Sequence, residues 1–384
     1  MSGVDWAKYR ADWPHVAEGV VWLQHAGITP PCRRVMGAAI DALEGFAQRP
    51  DTYRTLWHAS TGGARAKVAA FLGAPENTIA LVKNTSVGLT FIAESFPFVA
   101  GDSVVTLAGE FPSNRLPWRV LERKGVEVRT VEARPGLRFT VDQIAGAMDA
   151  RTRVVAVSWV QYLNGFRLDL ATLAEACAQH GAYLVVDGVQ GVGVLPVDLT
   201  GVDAMAVGGH KWLCGTEGAG FLYVAPRLLE RLGPFNVSWY SVEGDLFASG
   251  REVMVEDGLP TLKSGAVRFE EATPNAFGNV MLGEAVTMLA EIGAPAIWEK
   301  IRGWQDELLE RLAPLGYASA GSMEPGERSA ILPLVHETLP PAEIVRRLAA
   351  DRIVTIQRGE ACRLAPHFYN DGEDLERVVA ALAG

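Results

Sequence analysis

Between about residues 60 and 224, short apolar runs alternate with amphipathic stretches, and this alternation constrains the fold more than any other feature of the chain. ARAKVAAFLG (64–73) spaces its apolar residues along one helix face and ends on glycine. NTIALVKN reads as a strand up to Asn84, and VGLTFIAESF (87–96) as the helix after it, with Ser or Thr at its N-cap. SVVTLAG and VEVRTVEA read as strands, with RLPWRVLERKG (115–125) helical between them. RVVAVSWV follows as a buried strand, ATLAEACAQHG as a helix ending at Gly181, and AYLVVDG as the next strand. Strands that are apolar on both faces need helices above and below, so the pattern predicts an α/β layer structure around a mostly parallel sheet.

After Gly188 the rhythm changes. DAMAVGG and GAGFLYV are apolar runs with no helix between them, which predicts an antiparallel pairing and hence a mixed sheet. Beyond Phe277 the helical stretches VMLGEAVTMLAEIG and IWEKIRGWQDELLERLAPLG lead into shorter elements. The expected division is an N-terminal arm plus large domain over 1–270 and a smaller C-terminal α/β domain over 271–384. The loop 241–267 is the least regular stretch.

The net charge of -10 and pI of about 5.3 give no electrostatic case for a nucleic-acid or acidic-membrane partner. The N-terminus MSGVDWAKYRADWP lacks the apolar core of a secretory signal, and no later run approaches a membrane span, so a cytoplasmic protein is expected. Cys32, Cys177, Cys214 and Cys362 are far apart and form no C-x-x-C pair, so they read as reduced thiols with no zinc or other metal.

Asp187 closes one apolar run and Lys211 follows the next, between His210 and Trp212. A lysine drawn out of water loses the advantage of its protonated form, and the neutral amine is a nucleophile toward aldehydes. Pyridoxal phosphate is the biological aldehyde most often held in this way. It also needs a carboxylate at its pyridine nitrogen, donors for its phosphate and a flat partner for its ring. Asp187, at a strand end, supplies the first, and NTSVG (84–88), between a strand and a helix, the second. Phe111, in GEFPSN, supplies the third. Taken singly, these residues read as well as a turn former, a helix cap, a core aromatic and a snorkelling lysine; their order and spacing join them.

On VVDGVQGVGVLPVDL, GGHKWLCGTEGAGFLYV, RFEEATPNAFG (268–278) and CRLAPHFYN (362–370), the chain resembles the class V aminotransferase family of fold-type I pyridoxal phosphate enzymes. That family includes cysteine desulfurases, selenocysteine lyases, kynureninases and isopenicillin N epimerase-like proteins. The resemblance runs from WLQHAG (22–27) to the C-terminus. It implies that Lys211 binds the cofactor aldehyde and later shuttles the α-proton, with Asp187 at the pyridinium nitrogen. It further implies Gln190 near the ring hydroxyl, Phe111 against the ring face, and Thr85, Ser86 and His210 toward the phosphate. Thr273 would reach the phosphate of the other subunit, so a homodimer with shared active sites is expected. Arg363 would grip the substrate α-carboxylate, and Gln24 and His25 would line the substrate side.

Three departures bear on the reaction. The position three residues before the lysine, where many members carry Ser or Thr, is Gly208. Cysteine desulfurases present a mobile cysteine before the terminal arginine, whereas Cys362 adjoins Arg363 in a strand-like run. Kynureninases generally have tyrosine where His210 stands. The expected enzyme acts at Cα or Cβ of a small amino acid as an aminotransferase or carbon–sulfur lyase. Cysteine desulfurase or selenocysteine lyase, epimerase and kynureninase-like activities are the alternatives. A nicotinamide oxidoreductase lacks its G-x-G-x-x-G between a first strand and a helix, since GVQGVG leads into LPVDL. A pyridoxal phosphate sensor would need a fused DNA-binding module, for which this chain is expected to have no room.

Overall fold

The computed structural model describes residues 3–244 and 261–384. The middle of the irregular 241–267 loop therefore lies outside the described residues. Among the described residues, thirteen strands fall in chain order: β1 (Val21–Trp22), β2 (Ile79–Val82), β3 (Ser103–Leu107), β4 (Glu127–Val131), β5 (Thr152–Ser158), β6 (Tyr183–Asp187), β7 (Ala204–Gly208), β8 (Gly220–Val224), β9 (Tyr317–Ser319), β10 (Leu332–His336), β11 (Ile353–Val354), β12 (Ile356–Arg358) and β13 (Ala361–Leu364).

The central sheet runs β2-β8-β7-β6-β5-β3-β4. All neighbours from β7 to β4 are parallel, and β8 is antiparallel to both β7 and β2, which is the mixed sheet expected from the two apolar runs without a helix. Side chains alternate between two cores. Val155, Val157, Leu184, Val186, Met205 and Val207 face one, and Val154, Ala156, Val185, Ala204 and Ala206 the other. Both faces are covered, so these strands carry near-continuous apolar runs.

The helix Thr85–Ser95 lies so close to the second face that a Cβ on Gly88 would stand 2.9 Å from the Cβ of Ala206. Its N-cap is Asn84, whose side chain accepts from Val87 N at 3.0 Å, rather than a Ser or Thr. The first face carries the helices Arg33–Gln48, Tyr53–Leu72 and Ala276–Ile292, which share its core. Tyr53–Leu72 starts well before the expected 64 and continues through Gly62 and Gly63, despite a propensity cost of about 1 kcal/mol for each glycine. The stretch 115–125 breaks into Leu116–Val120 and a 3₁₀ turn Leu121–Lys124 that ends at Gly125 with φ 78°. A Cβ there would meet Ala100 Cβ at 2.9 Å.

A second, antiparallel sheet runs β12-β13-β10-β9, and its core joins Trp304, Leu308, Ile344, Leu348, Leu375 and Val378 to Val21 and Leu23. β1 pairs in parallel with β11, and Gln24 bridges to Ala365. This pairing leads the N-terminal segment from the smaller sheet to the carboxyl ends of the large one. No single helix among the described residues is long and apolar enough to cross a membrane. Ala276–Ile292 and Ala294–Leu315 pass such a test only together, across a 76° bend, and several of their apolar residues are buried in the cores.

Candidate active site

Five strands of the large sheet that run in the same direction, β2, β3, β5, β6 and β7, point their carboxyl ends at one cavity of about 360 Å³, the place where open α/β sheets bind ligands. Asn84, Thr85 and Ser86 reach it from the turn after β2, and Phe111 and Ser113 from the turn after β3. Tyr162 comes from the loop after β5, Asp187 and Gln190 from the end of β6, and His210 and Lys211 from beyond β7. Arg358 and Arg363 enter from the second sheet, and Ala26 and Gly27 from the N-terminal segment.

Asp187 is 3% exposed and accepts from Val189 N at 3.0 Å. Burial pushes its pKa up to about 6, against the opposing pull of the Val189 N–H and of the Lys211 charge, so it is ionised at neutral pH. Burial likewise brings Lys211 down to about 8, opposed by Asp187 and reinforced by the charges of Arg363 and Arg358. The backbone of the lysine is fixed, since its carbonyl accepts from Thr29 Oγ1 at 2.6 Å and from Cys214 N at 2.9 Å. Its Nζ stands 5.6 Å from the centroid of the Phe111 ring.

Gln190 is held at both ends of its amide: Nε2 donates to the Ala26 carbonyl at 3.0 Å, and Oε1 accepts from Trp212 Nε1 at 2.7 Å. Thr85 Oγ1 accepts from Gly208 N at 3.0 Å, and the hydroxyls of Ser86 and Ser113 are 2.6 Å apart. The first-turn N–H groups of the helix Thr85–Ser95 have no intrahelical acceptor, which suits an anion. The glycine at 208 has a local reason: a Cβ there would lie 3.0 Å from His210 Cε1, so the imidazole takes the space a Ser or Thr side chain would need.

Arg363 is 2% exposed. Its Nη1 donates to the Tyr162 carbonyl at 3.0 Å and Nη2 to Gln24 Oε1 at 3.2 Å, while its buried Nε has no partner. Burial, with Arg358 nearby, pulls its pKa down to about 10, which leaves it charged. Gln24 thus steadies the arginine and does not line the cavity. His25 is fully buried behind it, bonded to the Ala365 carbonyl and to Tyr369 Oη, both at 2.7 Å. Burial and His367 hold its imidazole well below the ordinary value, so it is a neutral packing residue away from the cavity wall. Thr273, at φ 53°, lines a different cavity with Lys83, Glu271 and Asn275. Trp239 and Tyr240 pack on Trp57 and do not line the cavity of Lys211.

Sequence reasoning missed Tyr162, Ser113, Arg358 and the carboxylate of Glu110. Glu110 Oε1 accepts from Ser158 N at 2.8 Å and Gln161 Nε2 at 3.1 Å, and Oε2 from Asn114 Nδ2 at 3.2 Å and from Ser158 Oγ. Only an acidic residue directly before Phe111 hinted at it. All four cysteines are buried, and Cys362 lies within β13 with burial raising its pKa to about 11. Among the described residues no cluster of His, Cys, Asp and Glu is arranged to hold a metal.

A half-buried lysine and a buried carboxylate beyond the ends of neighbouring parallel strands, beside a helix start and a buried arginine, define a fold-type I pyridoxal phosphate enzyme. The sequence model described as Aminotransferase class-V matches residues 21–378, and the chain belongs to that family, whose cofactor is pyridoxal 5′-phosphate. It is 28% identical over 407 aligned positions to the cysteine desulfurase of Klebsiella pneumoniae subsp. pneumoniae, covering 98% of this chain and 97% of the relative. The apo cysteine desulfurase of Thermococcus onnurineus NA1 superposes with a TM-score of 0.88 at 22% identity, covering 100% of this chain and 98% of that one. The cystine C-S lyase C-DES, solved with its reaction product cysteine persulfide, gives 0.85 at 23%, covering 97% and 99%. The donor set fits the cofactor: a lysine brought to about 8, a buried carboxylate and a capped helix start share one cavity.

Proposed function

We propose that the protein is a pyridoxal phosphate-dependent carbon–sulfur lyase for a small sulfur-containing amino acid, acting as a cytoplasmic homodimer. In this reading Lys211 holds the cofactor aldehyde, Asp187 the pyridine nitrogen and Gln190 the ring hydroxyl, and Phe111 covers the ring face. Thr85, Ser86 and the N–H groups of their helix turn take the phosphate, with His210 beside them and Thr273 of the partner subunit adding a hydroxyl. The location of Thr273 on a second cavity, apart from Lys211 of its own chain, supports a shared site.

When bound, the cofactor withdraws the electron pair left on Cα as its proton departs. The side chains do the rest. Arg363 fixes the α-carboxylate with the Nη1 and Nη2 hydrogens that the Tyr162 carbonyl and Gln24 leave free, and so sets which Cα bond faces the lysine. Lys211 Nζ takes the Cα proton, and sulfur leaves Cβ as thiolate with the bonding pair. With one water the balance is a thiol, pyruvate and ammonia. The observation that carries the lyase reading over a desulfurase is Cys362: buried in β13, it has no route to a sulfur held above Lys211.

Reconstituted enzyme incubated with S-substituted cysteines should release equal amounts of thiol and pyruvate. If it instead moves the amino group onto a 2-oxo acid and frees no thiol, the lyase assignment fails and transamination replaces it.

A further inference from the structure

The hairpin β12-β13 carries two arginines on one face. Ile356 pairs with Arg363 and Arg358 with Ala361, and residues opposed or two apart in an antiparallel pair project to the same side. Their surroundings differ. Arg363 is buried and held by Tyr162 and Gln24. Arg358 is exposed, and its guanidinium has no hydrogen-bond or ion-pair partner among the described residues. Glu360, two residues on, forms no ion pair with it.

Arg358 lines the cavity of Lys211 and also a second cavity of about 770 Å³, whose walls include Leu137, Leu163, Pro333 and Val335. It stands at the junction of the two, and its charge is felt by both Lys211 and Arg363. In the amino-acid reading above, on which this step rests, one α-carboxylate occupies Arg363 and the phosphate occupies the helix start at Thr85. The guanidinium of Arg358 is left for a further anion.

We infer that Arg358 binds a carboxylate at the end of the substrate side chain, so that the preferred substrate is an amino acid carrying a second carboxylate beyond Cβ.

Inert dicarboxylates test this without turnover. Binding of glutarate and of butyrate to the holoenzyme is measured by calorimetry in wild type, Arg358→Gln and Arg358→Lys. A charge-assisted contact should favour glutarate by about tenfold or more in the wild type. That ratio should fall toward one in Arg358→Gln and be partly kept in Arg358→Lys. In turnover, S-carboxymethylcysteine should be preferred over S-carbamoylmethylcysteine by a similar factor. Equal binding of the two acids in the wild type, or a preference that survives Arg358→Gln, overturns the inference. Absence of thiol release from any S-substituted cysteine strikes the lyase reading instead, and the binding ratio remains readable.

Discussion

Asp187, the last residue of β6, and Lys211, three residues past the end of β7, share one cavity and oppose each other's burial penalty. Each charge is kept partly in place by the other.

Capture of the cofactor should therefore depend on pH. The lysine pKa is depressed from 10.5 to about 8, so its amine is mostly protonated below that pH and mostly free above it. The rate at which the apoenzyme develops a visible absorption band with pyridoxal phosphate should rise through about pH 8 and level off above. The charge of Asp187 favours the ammonium, so Asp187→Asn should move the inflection to lower pH. Stopped-flow absorbance across pH checks both; an inflection near the ordinary lysine value of 10.5 would contradict the burial argument.

Arg363→Lys should lower kcat/KM by about 10- to 100-fold, mostly through KM, because an ammonium keeps the charge and loses the planar two-point grip. Gln24→Ala should cost less, within about tenfold, since Gln24 contacts the arginine by a single bond at 3.2 Å. Steady-state kinetics separates the two; an unchanged KM in Arg363→Lys would remove this residue from carboxylate binding.

Lys211 and Asp187 were legible in the sequence because the signal is local: each closes or follows an apolar run, and strand ends in such sheets face the ligand. Arg363 was reached only through resemblance, because its burial depends on β13 lying between β10 and β12, a pairing no local pattern announces. The positions of Gln24 and His25 behind the cavity wall escaped the sequence for the same reason. They meet the C-terminal part of the chain across 339 and 340 residues, and there the first holds the arginine and the second packs behind it. Glu110 gave no signal because its four donors come from three separate loop and strand positions.

Cys362→Ala should leave thiol release from S-substituted cysteines intact and cost about 1 kcal/mol of stability, as a small change in a packed site. Native protein should also resist iodoacetamide, since all four cysteines are buried and burial raises each thiol pKa. Mass spectrometry of alkylated protein reads this out. Rapid labelling of Cys362, or loss of activity on its removal, would return the chain to a desulfurase mechanism.

Glu110 governs the shape of the cavity from outside it. Two donors converge on each carboxylate oxygen, from Ser158 and Gln161 on one and from Ser158 and Asn114 on the other. These bonds join the turn after β3 to the loop after β5. Phe111 follows Glu110 directly and Tyr162 follows Gln161, and the two rings meet edge to face at 5.1 Å. The Tyr162 carbonyl then holds Arg363. Glu110→Gln keeps the size but turns one acceptor into an amide donor, which must face Ser158, Gln161 or Asn114 and leave a buried group unpaired. The expected loss is about 1–3 kcal/mol in urea unfolding. Because the displaced loop carries Tyr162, KM should rise along with it, while Glu110→Asp, which retains the carboxyl group, should recover part of both. A variant as stable as the wild type with unchanged KM would show that the four bonds do not set the position of Arg363.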